Sequence, residues 1–204
     1  FKTGSGEWVL PAEAIKTDHG WVRSGSGEPL VVGGVEKMSK SKKNVVDPDT
    51  IIASYGADTA RWFMLSDTPP ERDIEWTESG AEGAWRFTQR IWRLVNEAAG
   101  RKSGSGEAAA SLELRRVAHR TIAAVTDDLK HLRFNRGIAR LYELANVLGT
   151  GLPGTASDAS VREAAEIFVL LSGPMMPHLA EECWRVLGHE TMVVDTPWPK
   201  PLPE

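Results

Sequence analysis

The amino-acid sequence predicts a mainly α-helical protein, an antiparallel helical bundle preceded by a small irregular β-containing segment and a basic loop. Two observations support this fold class. From residue 77 onward, apolar residues recur at helical spacing in successive stretches separated by Gly, Pro and Ser. Residues 1–35 instead hold short Val- and Trp-containing runs between glycines, which is typical of short strands and turns. Helices with one apolar face bury it by packing side by side, so a bundle is expected.

Composition narrows the class of protein. The chain has 204 residues, of which 41% are hydrophobic, and this is enough to form a substantial core. Its one cysteine, Cys183, excludes an internal disulfide framework and a zinc site built from cysteines. We therefore expect a reducing, cytoplasmic environment and no metal site in this segment. No run of residues approaches 18 consecutive apolar side chains, so we expect no membrane association.

Charge is distributed unevenly along the chain. The net charge is −4, but residues 84–140 carry a balance of +7 and the rest of the chain a balance of −11. A basic block inside an acidic chain indicates a surface for a polyanion such as a nucleic acid. Ordinary solvated helix faces explain the same excess of basic residues equally well, so charge alone does not show that the chain binds a nucleic acid.

The first 76 residues are predicted to contain short strands, the loop and two short helices. Residues 7–10 and 29–32 are the strand candidates. Asp47 precedes Pro48 in the arrangement of an N-cap followed by the first helical residue, and Gly56 can end that helix. Asp58 can cap the second helix, which the two prolines at 69 and 70 stop.

Residues 77–190 are predicted to form the bundle. Thr77 or Ser79 opens a helix that reaches about Ala99, in which Trp85 and Trp92 are interpreted as core residues. Further apolar stripes predict helices from residue 114 to 132 and from 134 to 148, the second ending at Gly149. A loop rich in Gly, Pro, Thr and Ser follows. Ser160 and Glu163 then have the spacing of a capping box at the start of the next helix, which Gly173 and Pro174 break. A last helix can start at Pro177 and end at Gly188. Residues 191–204 are rich in proline and are predicted to be an extended exit linker.

The segment most suggestive of chemistry is Lys37-Met38-Ser39-Lys40-Ser41, which follows two glycines and precedes the first capped helix. Lys37 and Lys40 place two ammonium groups where a polyphosphate can lie, and Ser39 and Ser41 add hydrogen-bond donors. Met38 is expected to anchor the loop against the core. Such a loop can close on a nucleotide and stabilise charge that develops at phosphorus. A generic basic, RNA-contacting cluster is the alternative interpretation.

The same five residues match the second signature of class I aminoacyl-tRNA synthetases, and the chain from about residue 29 to 198 resembles the leucine branch of that class, of bacterial type. The matching segments include Asn44 to Pro48, Tyr55 to Arg61, Phe63 to Leu65, Ile74 to Trp76, Arg86 with Phe87, and Pro174 to Trp184. Lys43 also favours the leucine branch, because the isoleucine and valine relatives commonly have Gly at that place.

The resemblance implies a specific activity. Members of the family activate leucine with ATP and Mg²⁺, forming leucyl-adenylate, and then transfer leucine to tRNA(Leu). It implies that Lys40, assisted by Lys37, contacts ATP within a loop that includes Met38, Ser39 and Ser41. It also divides the chain into the end of a leucine-specific insertion and strands (1–35), the loop with its supporting helices (36–76), an anticodon-binding type bundle (77–190) and the linker (191–204). The family's two-histidine signature is not in this chain, so we expect the isolated chain to be inactive. A monomer is expected.

The bundle carries candidate tRNA contacts. The resemblance places the family's bundle against the inside of the L-shaped tRNA, and arginines at helical spacing away from the apolar faces would supply salt-dependent affinity for phosphates. The candidates are Arg86, Arg90, Arg93, Arg116, Arg120, Arg136 and Arg140. Pairing with neighbouring glutamates is the alternative role for these side chains.

Two other functions remain open at this point. A non-catalytic RNA-binding bundle would use the lysine loop on a phosphodiester backbone, and a helical protein-interaction adaptor would have an incidental basic face. ATP-dependent protection of Lys37 and Lys40 would distinguish the ligase from both. Steeply salt-dependent tRNA binding would separate the two RNA-binding functions from the adaptor.

Overall fold

The computed structural model describes residues 1–101, 105–151 and 156–202. Within these residues the chain forms two compact units, 1–54 and 55–204. The mainly helical architecture with a small antiparallel sheet confirms the predicted fold class. Part of the predicted loop between residues 149 and 160 and the last two residues of the predicted linker lie outside the described residues.

The first unit contains a four-stranded antiparallel sheet. Its strands are β1 (Lys2–Thr3), β2 (Ala14–Thr17), β3 (Gly20–Arg23) and β4 (Pro29–Val31), in the order β1-β4-β3-β2. The strand prediction holds for residues 29–31 but is wrong for residues 7–10, where Trp8 makes only an isolated bridge to Lys2. Two backbone hydrogen bonds, from the Thr3 N–H to Glu7 and from the Val9 N–H to Phe1, hold the run without forming a strand, and the Val9 side chain is fully buried.

Two short helices follow the loop. They are α1 (Pro48–Tyr55) and α2 (Ala57–Ser66). Asp47 caps α1 as predicted, because its carboxylate accepts the Asp49 N–H at 3.1 Å. Gly56 follows at φ 84°, a conformation that favours glycine, and separates the two helices. The prediction that Asp58 caps α2 is wrong, since α2 begins before it and its carboxylate bonds elsewhere.

Five helices build the bundle. They are α3 (Glu78–Gly100), α4 (Ala108–Lys130), α5 (Phe134–Gly151), α6 (Asp158–Ser172) and α7 (Pro177–Val186). Helix α6 contacts α3, α4, α5 and α7, so it is the central helix. Its apolar side chains, including Phe168 and Leu171, are accordingly buried. No described helix is long and apolar enough to cross a membrane.

The helix boundaries confirm several sequence signals and correct others. Thr77 caps α3 by accepting the Gly80 N–H, and Pro177 is the first residue of α7, as predicted. The N-cap of α6 is Ser157 rather than Ser160, which is buried inside the helix. Helix α5 continues past Gly149 to residue 151. Ser160 satisfies the spacing of a capping box, but Ser157, three residues earlier, takes the position because its hydroxyl accepts the Ser160 N–H.

The interpretation of Trp85 and Trp92 as core residues is wrong. Their exposed fractions are 41% and 38%, whereas Phe87, Ile91 and Leu94 on the same helix are buried. The buried arc of α3 is therefore centred on these three residues, and both tryptophans lie on the solvent side of it. The large aromatic core residue is instead Trp62 on α2, which is fully buried and donates a hydrogen bond to the Tyr142 hydroxyl at 3.0 Å.

The proline-rich tail lies along α4. The indole Nε1 of Trp198 donates to the hydroxyl of Thr126 at 2.8 Å, and the Leu202 N–H donates to Nδ1 of His119 at 3.2 Å. Two contacts about two helical turns apart hold an extended segment against the helix. The tail is thus docked on α4 between Trp198 and Leu202. Its first residues are not extended, because the Asp195 and Thr196 N–H groups close turns on the carbonyls of Met192 and Val193.

Candidate functional site

The lysine loop lies between β4 and α1 within the first unit. It contains a single 3-10 turn at Lys40–Lys42, and the next residue, Lys43, adopts a left-handed conformation with φ 49°. The side chains of Lys37 and Lys40 are exposed. The loop therefore presents its cationic groups to solvent.

Four lysines in and beside the loop fall into two classes. Lys42 forms an ion pair with Glu36, and Lys43 lies 3.8 Å from a carboxylate oxygen of Glu7. Within the described residues, the ammonium groups of Lys37 and Lys40 make no ion pair. The two signature lysines are thus available for an anionic ligand, while the two following lysines are used inside the protein.

The other signature residues have distinct environments. The hydroxyls of Ser39 and Ser41 share a hydrogen bond of 2.8 Å. Met38 is 46% exposed, so the expectation that it anchors the loop against the core is wrong. The side chain is an exposed apolar group beside the lysines.

One residue outside the predicted site organises the loop. The side chain of Asn44 bonds the backbone of Glu36, Lys37 and Ser39. In the sequence, Asn44 stands out only as part of the family resemblance. Asparagine soon after a turn is a common loop residue, so its type alone did not indicate this role.

Two of the seven candidate arginines have structural partners. Arg90 donates to the side-chain oxygen of Asn146 at 2.8 Å and to the Ala145 carbonyl at 3.3 Å, which joins α3 to α5. Arg136 lies 3.5 Å from the carboxylate of Asp128, whose side chain is only 4% exposed. A buried carboxylate requires a cationic partner, so Arg136 helps to neutralise it.

Three candidate arginines form exposed pairs on their own helices. Arg86 pairs with Glu82 at 3.6 Å and Arg93 with Glu97 at 3.8 Å. On α5, Arg140 lies 3.4 Å from a carboxylate oxygen of Glu143. Pairs of this kind are worth at most about 1 kcal/mol, so a phosphate can compete for the guanidinium.

Arg116 and Arg120 are the candidates with the fewest protein contacts. Both are exposed on α4, and neither forms an ion pair among the residues that the structure describes. Lys130 continues the same exposed face and lines a groove of about 370 Å³, with Lys200 of the docked tail on its other side. Lys130 and Lys200 were not among the predicted residues, because only the docking of the tail brings them to one groove.

Helix α4 also carries an ion-pair network that is structural. Glu163 on α6 accepts hydrogen bonds from Arg115 at 2.6 Å and lies 3.0 Å from Nε2 of His119. Burial raises the pKa of Glu163, but the hydrogen bonds from Arg115 and His119 outweigh it and hold the pKa below its usual value. The same contact raises the pKa of Arg115. This network joins α4 to α6.

Metal-binding and reactive groups are sparse in the described part of the chain. No cluster of three or more His, Cys, Asp or Glu side chains suited to a metal ion occurs among the described residues. Cys183 is buried, and burial followed by the negative charge of Glu182 raises the pKa of its thiol to about 12.

Comparison with known proteins agrees with this geometry. A family model described as the anticodon-binding domain of tRNA ligase matches residues 112–204, and a model for class I tRNA synthetases (I, L, M and V) matches residues 27–77. The second match includes the lysine loop, and the first includes most of α4 and the helices that follow it. Arg116, Arg120, Arg136 and Arg140 therefore lie within the first match, whereas Arg86, Arg90 and Arg93 on α3 lie outside both.

Individual relatives are similar over nearly the whole chain. The leucine–tRNA ligase of Parvibaculum lavamentivorans is 54% identical over 98% of this chain, and that of Brucella ovis is 54% identical over 96%. The chain spans about a quarter of the length of these relatives, 24% in each case. Among solved structures, a ternary complex of Agrobacterium radiobacter K84 agnB2 LeuRS with tRNA and LeuAMS matches 81% of this chain and 22% of that chain. Its TM-score is 0.74 and its identity is 29%.

These findings define a segment of a class I tRNA synthetase, with its second signature loop and its helical bundle. Within that class, the chain belongs to the leucine–tRNA ligase family. The resemblance inferred from the residues around the loop is confirmed.

Proposed function

We propose that this chain is the part of a leucine–tRNA ligase that contacts ATP through Lys37 and Lys40 and binds tRNA(Leu) through its bundle. The proposal rests on the observation that two of the four lysines in and beside the loop form ion pairs and the other two do not. Lys42 and Lys43 are held by carboxylates, whereas Lys37 and Lys40 have no ion pair among the described residues. An exposed pair of uncommitted ammonium groups suits a polyphosphate.

The proposed chemistry is electrostatic. A carboxylate oxygen of leucine attacks the α-phosphorus of Mg-ATP, and the bond from that phosphorus to the bridging oxygen breaks to release pyrophosphate. Negative charge grows on the phosphate oxygens during this step. Lys40 and Lys37 stabilise that charge as fixed cations and transfer no proton. Ser39, Ser41 and Met38 complete the ATP-contacting loop.

The proposed tRNA surface uses the arginines unequally. Arg116 and Arg120 are the primary phosphate contacts, because they have no competing ion pair among the described residues. Arg86, Arg93 and Arg140 contribute after exchanging weak glutamate pairs for phosphates. Arg90 and Arg136 act mainly by joining helices. The division into 1–35, 36–76, 77–190 and 191–204, a cytoplasmic location and a monomeric state belong to the same proposal.

Adenylate formation tests the role of the loop. The segment would replace the corresponding part of the Parvibaculum lavamentivorans leucine–tRNA ligase, and leucine-dependent ATP–pyrophosphate exchange would be measured. We expect Lys40→Ala to lower kcat by about 100-fold, the scale found when one donor to a developing oxyanion is removed. Lys16→Ala, which removes the same charge from the sheet, is the matched control. Full activity of Lys40→Ala would refute the proposed role.

Salt dependence tests the tRNA surface. We expect the chain to bind tRNA(Leu) with an affinity that falls steeply as salt increases, because phosphate contacts release counterions. Replacing both Arg116 and Arg120 with Ala should weaken binding and reduce the salt slope by about two, one for each lost contact. Lys16→Ala controls for the loss of one positive charge, half of what the double variant loses. An unchanged slope in the double variant would remove these two arginines from the RNA surface.

A further inference from the structure

We infer that Asn44 is a positioning residue that holds the loop in the shape from which Lys37 and Lys40 contact ATP. The inference rests on the proposed function of the loop. It adds a residue that touches neither the nucleotide nor the reacting atoms and that acts only through the backbone of the signature.

One side chain spans three backbone groups. The Asn44 Oδ1 accepts a hydrogen bond from the Ser39 N–H at 2.7 Å. Its Nδ2 donates to the carbonyl oxygens of Glu36 at 3.4 Å and Lys37 at 3.3 Å. These groups lie on both sides of Met38, so the amide closes the signature into a compact turn. A carboxamide has both a donor and an acceptor, which a carboxylate or a hydrocarbon side chain lacks.

The rest of the loop is closed in ways that leave the two signature lysines untouched. The Lys42–Glu36 ion pair joins its two ends, and the hydrogen bond from Lys42 lowers the pKa of Glu36. The hydroxyls of Ser39 and Ser41 bond each other. The hydrogen bonds and the ion pair described for the loop thus involve backbone groups and other side chains, and none of them involves the side chain of Lys37 or Lys40.

A pre-formed loop favours ligand binding in a calculable way. The apparent dissociation constant of a ligand equals the intrinsic constant divided by the fraction of protein in the competent conformation. Removal of the Asn44 bonds allows the exposed loop to sample other conformations, and that fraction falls. The consequence is weaker ATP binding with a smaller effect on the chemical step, since both lysines remain.

The first test measures the loop in the chain itself. Fast amide-exchange NMR would follow the Ser39 N–H in the unmodified chain, Asn44→Ala and Asn44→Asp. We expect exchange to rise about tenfold in Asn44→Ala, as for loss of one hydrogen bond of ordinary strength. Asn44→Asp keeps the acceptor for Ser39 and should show a smaller rise. Val45→Ala, in the same loop without a polar side chain, is the control. Unchanged exchange in Asn44→Ala overturns the inference.

The second test measures ATP use in the chimeric ligase described above. We expect Asn44→Ala to raise KM for ATP about tenfold, with a smaller change in kcat and none in KM for leucine. Asn44→Asp should be intermediate. An unchanged KM for ATP in Asn44→Ala, with Lys40→Ala still impaired, overturns the inference and leaves the proposed function intact. Full activity of Lys40→Ala instead overturns the proposed function. The Ser39 exchange rate then still tests whether the Asn44 hydrogen bonds hold the shape of the loop.

Discussion

The carboxylate of Asp58, near the start of α2, accepts a hydrogen bond of 2.6 Å from the Leu179 N–H in the first turn of α7. Its second oxygen lies 2.9 Å from Nδ1 of His178. One turn later on α2, Arg61 donates to the carbonyl oxygens of Pro174 and Met175 at 2.8 and 3.2 Å. Helix α2 therefore satisfies one of the unpaired N–H groups in the first turn of α7 and two of the carbonyls that precede that helix.

Replacement of Asp58 should destabilise the second unit. Asp58 is 9% exposed and caps a helix that has no cap from its own N-terminal residue. We expect Asp58→Ala to lower the free energy of unfolding by about 2 kcal/mol, the upper end for loss of an N-cap, because the Leu179 N–H loses its acceptor at a partly buried site. Asp58→Asn retains one acceptor oxygen and should lose about half as much. Urea unfolding followed by circular dichroism measures both.

Asp67→Ala is the matched control for this experiment. Asp67 is exposed at the C-terminal end of α2 and makes no side-chain hydrogen bond among the described residues. An acidic residue at a helix C-terminus is unfavourable to the helix dipole, so its removal should be neutral or slightly stabilising. Equal destabilisation by Asp58→Ala and Asp67→Ala would show that the bond to α7 contributes nothing.

The case of Asp58 shows which features sequence could predict. Local signals could be predicted, such as the N-caps at Asp47 and Thr77 and the start of α7 at Pro177. In each N-cap the side chain and the N–H that it accepts lie within four residues of one another. The partner of Asp58 is brought to it only by the tertiary fold. Ser157 was missed for a different reason, since an equally suitable serine follows it three residues later.

The α3 tryptophans illustrate a second limit. Periodicity shows which side chains share a face, but on α3 apolar residues occupy more than one face, and only the packing partners decide which face is buried. Helices α2 and α6 cover the face with Phe87 and Ile91 and leave Trp92 at the surface. The lysine loop was found from its motif, whereas its internal pairing with Glu7 and Glu36 depends on the fold.

The exposure difference between the tryptophans gives a stability prediction. We expect Trp62→Ala to lower the free energy of unfolding by about 4 kcal/mol, because it empties a buried aromatic site and removes the bond to Tyr142. Trp92→Ala, at a surface that is 38% exposed, should cost no more than about 1 kcal/mol. Chemical denaturation compares the two variants. Similar losses would mean that Trp92 is packed as a core residue after all.

The Glu163 network should make stability depend on acidity. The pKa of Glu163 is lowered in the folded chain, so the folded state binds fewer protons than the unfolded state. Its contribution is complete above the unfolded pKa of about 4.3 and is lost as pH falls through the lowered folded pKa. We expect Glu163→Gln to cost about 1 kcal/mol at pH 6, a modest value because the site is partly solvated.

The difference between the unmodified chain and Glu163→Gln should therefore shrink between pH 6 and pH 3, as measured by urea unfolding at each pH. Glu113→Gln is the control, because Glu113 is exposed on α4 and forms no ion pair among the described residues. A difference that stays constant, or grows in acid, would contradict the assigned direction of the Glu163 pKa.

The Cys183 thiol should be inert in the folded chain. With a pKa of about 12, only about one molecule in ten thousand carries the reactive thiolate at pH 8, and burial also blocks access. Unfolding returns the pKa to about 8.5, so roughly a quarter of the thiols become thiolates. We expect a disulfide reagent such as DTNB to label the native chain at least about 1,000-fold more slowly than the chain in urea.

Since Cys183 is the single cysteine, the labelling rate reports on this site alone. Equal rates in the two states would show that α7 does not hold the thiol in the core, which would also weaken the assignment of Asp58 as the cap of that helix.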